Sequence, residues 1–277
     1  MRVIYATDLY GDRNRYDQLL RLVQTRRAGA LILGGNLGPT DHVPLYELAI
    51  QHDFLQTILI PWRQRLYKTR PGCAVYILPG QRDWAEPTQV FTEYAEGQHF
   101  YPLHQRAWRL TKGIWLAGNS LVPCSQQAPR DWERLEGVDP EPPFPRSGGL
   151  WSGGGGLRVI GLDDVQAQPT IADELAWLAT QSDPSHTIYI VRSPPYATAL
   201  DRLPDQPPQG SRAIRSFIEG FQPLVTLHGA VLDPGMLEPY VTDTIGRTLC
   251  IAVAQHLGRR SALMFNTDNP HETLHLV

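Results

Sequence analysis

Short, wholly apolar runs alternate with amphipathic stretches along the first half of the chain. Residues 2–7 (RVIYAT) read as a strand, 15–23 (RYDQLLRLV) as an amphipathic helix, and 30–33 as a second strand with no polar position. Residues 43–68 carry a longer helical pattern that is expected to break at Pro61, because proline lacks the N–H an α-helix needs. A third strand is expected at 74–78 and a short helix at 87–96. Strands apolar on both faces, separated by helices, predict a sheet covered on both sides. The second half repeats the alternation: strand 157–162, helix 171–180, strand 187–191, helix 212–219 and strand 224–227, then β-like segments at 248–254, 262–265 and 273–277. Between the halves, 100–121 look like a meander of short strands. Residues 123–156 hold PPFP, SGG and four consecutive glycines at 153–156. Glycine runs lose much conformational entropy on ordering, so this stretch reads as a flexible, solvent-exposed Pro/Gly-rich insertion. A phosphate cradle would need a helix after the glycines, and a strand pattern follows instead.

Composition narrows the picture. A chain of 277 residues with 42% hydrophobic and 19% charged residues fits a single globular α/β domain spanning 1–277. A net charge of −3 argues against a sequence-independent nucleic-acid binder, which needs a basic face. Cys73, Cys124 and Cys250 form neither a disulfide framework nor a zinc spacing. No apolar stretch reaches the ~18 residues of a membrane helix, and none resembles a signal-peptide core. The expectation is a cytoplasmic, soluble protein without membrane insertion. Arg26-Arg27 and the basic residues of 63–70 fall near helix C-termini, where cations favour the dipole.

One motif is a decoy. His271-Glu272-Thr273-Leu274-His275 matches HExxH, which binds zinc only when both histidines lie one turn apart on a helix. The segment alternates like a strand, where residues four apart are separated by about 13 Å. The informative residues follow the three apolar strands: Asp8-Leu9-Tyr10-Gly11-Asp12, Gly34-Gly35-Asn36-Leu37, and Pro79-Gly80-Gln81-Arg82-Asp83. In open α/β sheets ligands bind at the carboxyl ends of strands, and glycine there lets backbone approach a ligand. Any one of these is an ordinary βα turn; three together, each carrying polar residues, mark a candidate site.

This spacing resembles the calcineurin-like metallophosphoesterase superfamily, with its DxH, GD, GN(H/N)D, lone His and GHxH motifs. The likeness extends to Pro194-Pro195-Tyr196-Ala197-Thr198-Ala199-Leu200-Asp201, to the helix around Arg212, to Gln222-Pro223-Leu224-Val225-Thr226-Leu227-His228-Gly229, and to Asp131-Trp132-Glu133-Arg134. It implies a four-layer α/β-β/α sandwich of two mixed sheets flanked by helices. It also implies a dinuclear metal centre, and there the chain departs. Asp8 stands at the first carboxylate, Tyr10 replaces the His of DxH, Asn36 the bridging Asp, and Gln81 the Asn ligand. Arg82 takes the position of the catalytic His or its Asn variant, Arg192 that of the lone His, and Ala230 and Leu232 those of GHxH; Ala252-Val253-Ala254 stands where a later turn is expected.

Alanine and leucine offer no lone pair, and arginine is a permanent cation without an acceptor. One carboxylate cannot offset two divalent ions, so no metal or other cofactor is expected; Asp8, Asn36 and Gln81 are the candidates should Mn, Mg, Fe or Zn bind. An arginine, Arg82 or Arg192, is expected to pair with Asp8 and stand in for metal. Alternatively Arg82, Arg192, Tyr10 and His228 face a small anion; taken alone, His228 reads as a satisfied structural histidine. The first functional reading is an inactive or strongly impaired metallophosphoesterase-fold protein with a binding, scaffolding or regulatory role and another protein as partner. The second is a divergent metal-dependent phosphoesterase acting on a phosphomono- or diester. The third is an Arg-lined phosphate or nucleotide sensor.

Overall fold

The computed structural model describes residues 1–95, 100–125, 130–141, 144–145, 148–203, 205–229, 240–253 and 262–277. Two six-stranded sheets pack face to face. The first runs, edge to edge, His275–Leu276, Leu263–Asn266, Arg2–Ala6, Ala30–Leu33, Ala74–Ile77 and Tyr101–Pro102. Its last four strands are parallel and the two C-terminal ones antiparallel. The second runs Tyr240–Ile245, Thr248–Val253, Val225–Gly229, Thr187–Val191, Ile114–Asn119 and Arg106–Thr111, parallel in its centre and antiparallel at both edges. The four-layer sandwich implied by the resemblance is what the chain forms.

The layering follows from the two-residue period of a strand. Val3, Tyr5, Ala30 and Ile32 point from the first sheet into a core shared with Leu116, Ile188, Ile190, Val225, Leu227 and Ile251 of the second. Their neighbours Ile4, Ala6, Leu31, Leu33 and Ile77 face outward onto Tyr16, Leu19, Val23, Phe54, Trp62 and Leu66 of the flanking helices. On the far side, Tyr189, Val191 and Ala252 pack against Leu175, Leu178, Ile214 and Phe217. Both faces of each central strand are thereby covered, which is why those segments are mainly apolar, with Thr187, Thr226 and His228 as buried polar exceptions. No helix among the described residues is long and apolar enough to cross a membrane.

Two segments differ from the sequence pattern. The helix does not break at Pro61: Pro44–Phe54 runs into a π-helical turn, Leu55–Leu59, and then Ile60–Thr69. The Ile60 N–H donates to the Leu55 carbonyl five residues back. Widening the coil just before Pro61 accommodates the residue without ending the helix. The 123–156 stretch, read as a flexible insertion, is largely structured among its described residues. Gly149–Gly153 and Gly156–Ile160 form an antiparallel hairpin. Its turn, Gly154-Gly155, has φ of +61° and +80°, the two positive values that a tight hairpin turn requires and glycine supplies without strain. The Asp131 carboxylate fastens this hairpin, accepting from Ser152 N (2.8 Å), Ser152 Oγ (2.6 Å) and Ala85 N (2.8 Å). The glycine run is therefore turn chemistry rather than slack. An edge strand at Tyr240–Ile245 carries too little apolar alternation to be read from the sequence.

Asp83 ties the loops together. Buried to 4% exposure, its carboxylate accepts from Leu37 N (2.8 Å), Gly38 N (2.9 Å) and Gly80 N (2.8 Å), joining the turns after the second and third strands. Asp83→Ala strips three buried amides of their acceptor. At about 1–3 kcal/mol for each orphaned group, it is expected to lower the unfolding free energy by at least ~3 kcal/mol in urea titrations. A loss below ~1 kcal/mol would show that water replaces the carboxylate.

Candidate functional site

The carboxyl ends of the central strands of both sheets converge, as the turn sequences suggest. The turn after Arg2–Ala6 is knitted to the one after Ala30–Leu33 by main-chain bonds: Asp8 N to Gly35 O (2.9 Å), Tyr10 N to Asn36 O (2.9 Å) and Gly11 N to Leu37 O (2.8 Å). This pairing puts Asp8, Tyr10 and Asn36 at φ of +58°, +49° and +51°, a left-handed conformation that non-glycine residues hold only when the surroundings impose it. Gly35, at φ +110°, lets its turn meet the next: a Cβ there would lie 2.9 Å from Gly80 Cα.

At the centre lies an ion pair between the two sheets. Arg192 follows Thr187–Val191 and donates from Nη2 to Asp8 Oδ1 (2.6 Å) and from Nη1 to Asp8 Oδ2 (3.1 Å), with a further bond from Nη1 to Thr7 Oγ1 (3.1 Å). Both residues are buried, at 9% and 6% exposure. Burial by itself depresses a guanidinium's pKa; the charge and hydrogen bonds of Asp8 outweigh it and hold Arg192 above its ordinary value. Asn36 Nδ2 donates to Asp8 Oδ1 (2.7 Å) and to Tyr10 Oη (3.0 Å), and Thr7 Oγ1 lies 3.0 Å from Asp8 Oδ2. Tyr10 exposes its ring while the hydroxyl turns inward. Burial of that hydroxyl, then the Asp8 charge, pushes its pKa up to about 12, so it stays protonated. Arg192 also lies directly over Gly229, where any Cβ would collide with the guanidinium.

The remaining candidates sit around this pair in different roles. Arg82 contributes its backbone: its N–H donates to Asn36 Oδ1 (2.9 Å) and its carbonyl accepts from Gln51 Nε2 (2.8 Å). Its guanidinium makes no ion pair with any described residue. Gln81 turns away from Asp8 and donates to Glu133 Oε1 (3.3 Å). His228 is fully buried. Its Nδ1 faces the carbonyls of Ser193 (2.7 Å) and Val191 (3.1 Å), which can only accept, so Nδ1 carries the proton and Nε2 (2.8 Å from Thr226 Oγ1) accepts. No face of this imidazole is free to meet an anion. Ala230, Leu232 and Ala254 lie outside the described residues, while Ala252 and Val253 are buried in their strand. The HExxH histidines serve separate ends: Pro270–Thr273 is a single helical turn rather than the expected strand, His271 Nε2 faces Leu224 O (3.2 Å), and His275 Nδ1 faces Thr273 O (2.7 Å).

Asp83 and Glu133, which fall within quoted motifs, support the site together with Thr7 and Glu136, which the sequence reading does not single out. Glu133 is buried and its pKa is raised by burial. Glu136 accepts from Ser211 Oγ (2.5 Å), Arg212 N (3.1 Å) and Ala213 N (2.8 Å), capping the helix Arg212–Phe221. For the three acidic residues the one sequence signal is a carboxylate within a Gly/Pro-rich turn; Thr7 has none.

The donor set does not fit a dinuclear metal centre. Both oxygens of Asp8 are engaged by Arg192, and a guanidinium inside the pocket repels a cation. Among the described residues no three His, Cys, Asp or Glu side chains converge as metal ligands do. The side chains of Ala230 and Leu232 carry no donor atoms whatever their placement. Among the described residues around the pair, Asp8 and His228 are both engaged, and neither is free to activate a water.

No protein-family model matches the sequence, and no curated protein is significantly similar to it. Solved structures do match. TT1561 of Thermus thermophilus superposes over 100% of this chain and 97% of its own, with a TM-score of 0.60 at 14% identity. A dimetal phosphatase from Danio rerio superposes over 95% of this chain and 91% of its own, with a TM-score of 0.55 at 10% identity. At such identities the likeness is one of fold, and the fold is metallophosphoesterase-like.

Burial depresses the His228 pKa to about 4, against the pull of the Ser193 and Val191 carbonyls. Above pH ~6.5 the imidazole is neutral whether the chain is folded or not, and its contribution to stability is complete. Between pH ~6.5 and ~4 only the unfolded chain takes up the proton, so stability falls with pH. His228→Gln removes that uptake. The wild type minus variant difference in unfolding free energy should shrink by on the order of 3 kcal/mol from pH 7 to pH 4. Parallel pH profiles would contradict this environment for His228.

Proposed function

We propose that this metallophosphoesterase-like fold acts by binding another protein, in a scaffolding or regulatory capacity, and not by hydrolysing phosphate esters. The observation that carries the reading is the bidentate Arg192–Asp8 pair, in which a guanidinium takes up the one carboxylate left at the first ligand position. A paired, desolvated carboxylate is a poor metal ligand and a poor base. The pair instead locks the two sheets together, which suits a rigid surface for a partner. Arg82, whose guanidinium has no ion-pair partner among the described residues, favours a second reading in which the same pocket senses a small anion such as phosphate. Under it, inorganic phosphate raises the melting temperature of the wild type and not of Arg82→Ala.

Elemental mass spectrometry decides between binding and hydrolysis. Protein purified without chelator and dialysed against Mn²⁺, Zn²⁺ and Fe²⁺ is expected to hold only traces of each metal. Its turnover of an aryl phosphate ester should be the same for wild type and Asp8→Ala. Near-stoichiometric metal, lost in Asp8→Ala together with metal-dependent turnover, would replace this reading with that of a divergent phosphoesterase.

Because one partner of a buried pair cannot stand alone, Arg192→Ala should cost about 3–5 kcal/mol. The double substitution Asp8→Leu with Arg192→Met should recover most of that loss. Equal stabilities for Arg192→Ala and wild type in urea titration would mean that the pair does not hold the two sheets together.

A further inference from the structure

On the second sheet's side of the molecule, a groove of about 450 Å³ opens between the helix Ile171–Ala179 and the turn that carries Gln105. This size falls within the ~300–1,000 Å³ of ligand clefts. Its walls are Trp177, Asp173 and Glu174 of the helix, facing Gln105 and Pro169. Trp177 is 49% exposed, an unusual placement for so large an aromatic surface, and tryptophan is enriched at binding hot spots. Asp173 and Glu174 precede it by four and three residues, so all three occupy one face of the helix. Gln105 reaches across: its Nε2 donates to Glu174 Oε2, and its backbone, at φ +52°, is held by Gln105 N to Gly118 O (3.0 Å). The groove is therefore braced from both sides.

We infer that this groove receives a lysine- or arginine-bearing segment of a partner protein, with the cation set over the Trp177 ring and within reach of Asp173 and Glu174. This assignment rests on the binding reading and names the partner's chemistry. Three features select a cation. Asp173 engages Thr170 through Oδ2, and its Oδ1 has no partner among the described residues. Glu174 accepts from Gln105 through Oε2, and its other oxygen has no partner among the described residues. The described positive groups nearby form no ion pair with either carboxylate. Arg134, whose charge acts on Glu174, donates to the carbonyls of Asp131 and Glu133 (2.8 Å each) and stacks on Trp151. His104, adjacent to Gln105, is held neutral at pH 7, its pKa pushed down to about 4 by burial. An anion would meet two carboxylates, and a purely apolar occupant would strand them. A cation over the indole face gains cation–π attraction together with the ion pair. The net charge of −3 favours encounter with a basic partner over the whole surface.

Calorimetric titration of the full chain with acetyl-(Arg)₄-amide and acetyl-(Glu)₄-amide tests the assignment. One site for the arginine peptide and none for the glutamate peptide is expected. Binding should weaken about three- to tenfold in Trp177→Ala and again in Glu174→Gln. The exposed position of Trp177 leaves the core intact, and an unchanged melting temperature would verify it. Arginine-peptide binding that persists undiminished in both variants, or no binding to the wild type, overturns the groove assignment. Metal content and ester hydrolysis, measured on the same preparations, report separately on the binding reading. A failed groove with traces of metal leaves that reading standing; stoichiometric metal with turnover removes it whatever the peptides do.

Discussion

The Arg192–Asp8 pair constrains everything around it. A lone buried carboxylate or guanidinium would cost several kcal/mol, so each is tolerable only because the other is present and correctly aimed. Correct aim requires the first sheet to deliver Asp8 and the second to deliver Arg192 to one point from positions 184 residues apart. It requires Asn36 and Thr7 to use up the remaining acceptor capacity of the carboxylate. Gly229 must lack a side chain so that the guanidinium can lie flat on the strand, and three non-glycine residues must accept left-handed backbone. The strain at Asp8, Tyr10 and Asn36 is a local consequence of this geometry.

Around that pair, buried carboxylates act as acceptors for main-chain amides. Asp83 joins two strand-end turns. Asp131 fastens the Gly-rich hairpin, Glu136 caps a helix, and Asp201 gathers Ala197 N, Thr198 N and Gly210 N at 2.9–3.0 Å. An amide has no charge with which to neutralise a carboxylate, so burial raises the pKa values of Asp83 and Asp131 even as the bonds lower them. The loops at this end of the sandwich thus owe their order to directed polar contacts as well as to the burial of Leu9, Leu37 and Trp132.

This division explains what can be read from the sequence. The central strands and the helices Arg13–Arg26, Ile171–Ala179 and Arg212–Phe221 are legible because burial imposes periodicity on them. The strand ends are legible because Asp8, Asn36, Gln81 and Arg82 occupy positions with a familiar spacing. Which arginine meets Asp8 is not legible: Arg82 and Arg192 are equally good by chemistry, and only the tertiary path decides, sending Arg192 to the carboxylate and using the backbone of Arg82. The hairpin at 153–156 is hidden for a related reason. Composition records that glycine is flexible when free, while Asp131 and Ser152, which fix the hairpin, are isolated polar residues with no periodic signature. The π turn before Pro61 is invisible too, since a one-residue change in hydrogen-bond register leaves the helical pattern nearly intact.

The first sheet pairs Arg2–Ala6 with Leu263–Asn266, a strand more than 250 residues further along the chain. During synthesis the amino-terminal strands emerge first and can assemble on their helices, yet one edge of Arg2–Ala6 stays open until residues 263–266 have left the ribosome. An open, apolar strand edge is a template for pairing with other chains. Nascent chains, and fragments cut short of residue 263, consequently expose an unpaired apolar edge, and Leu263–Asn266 acts as its seal.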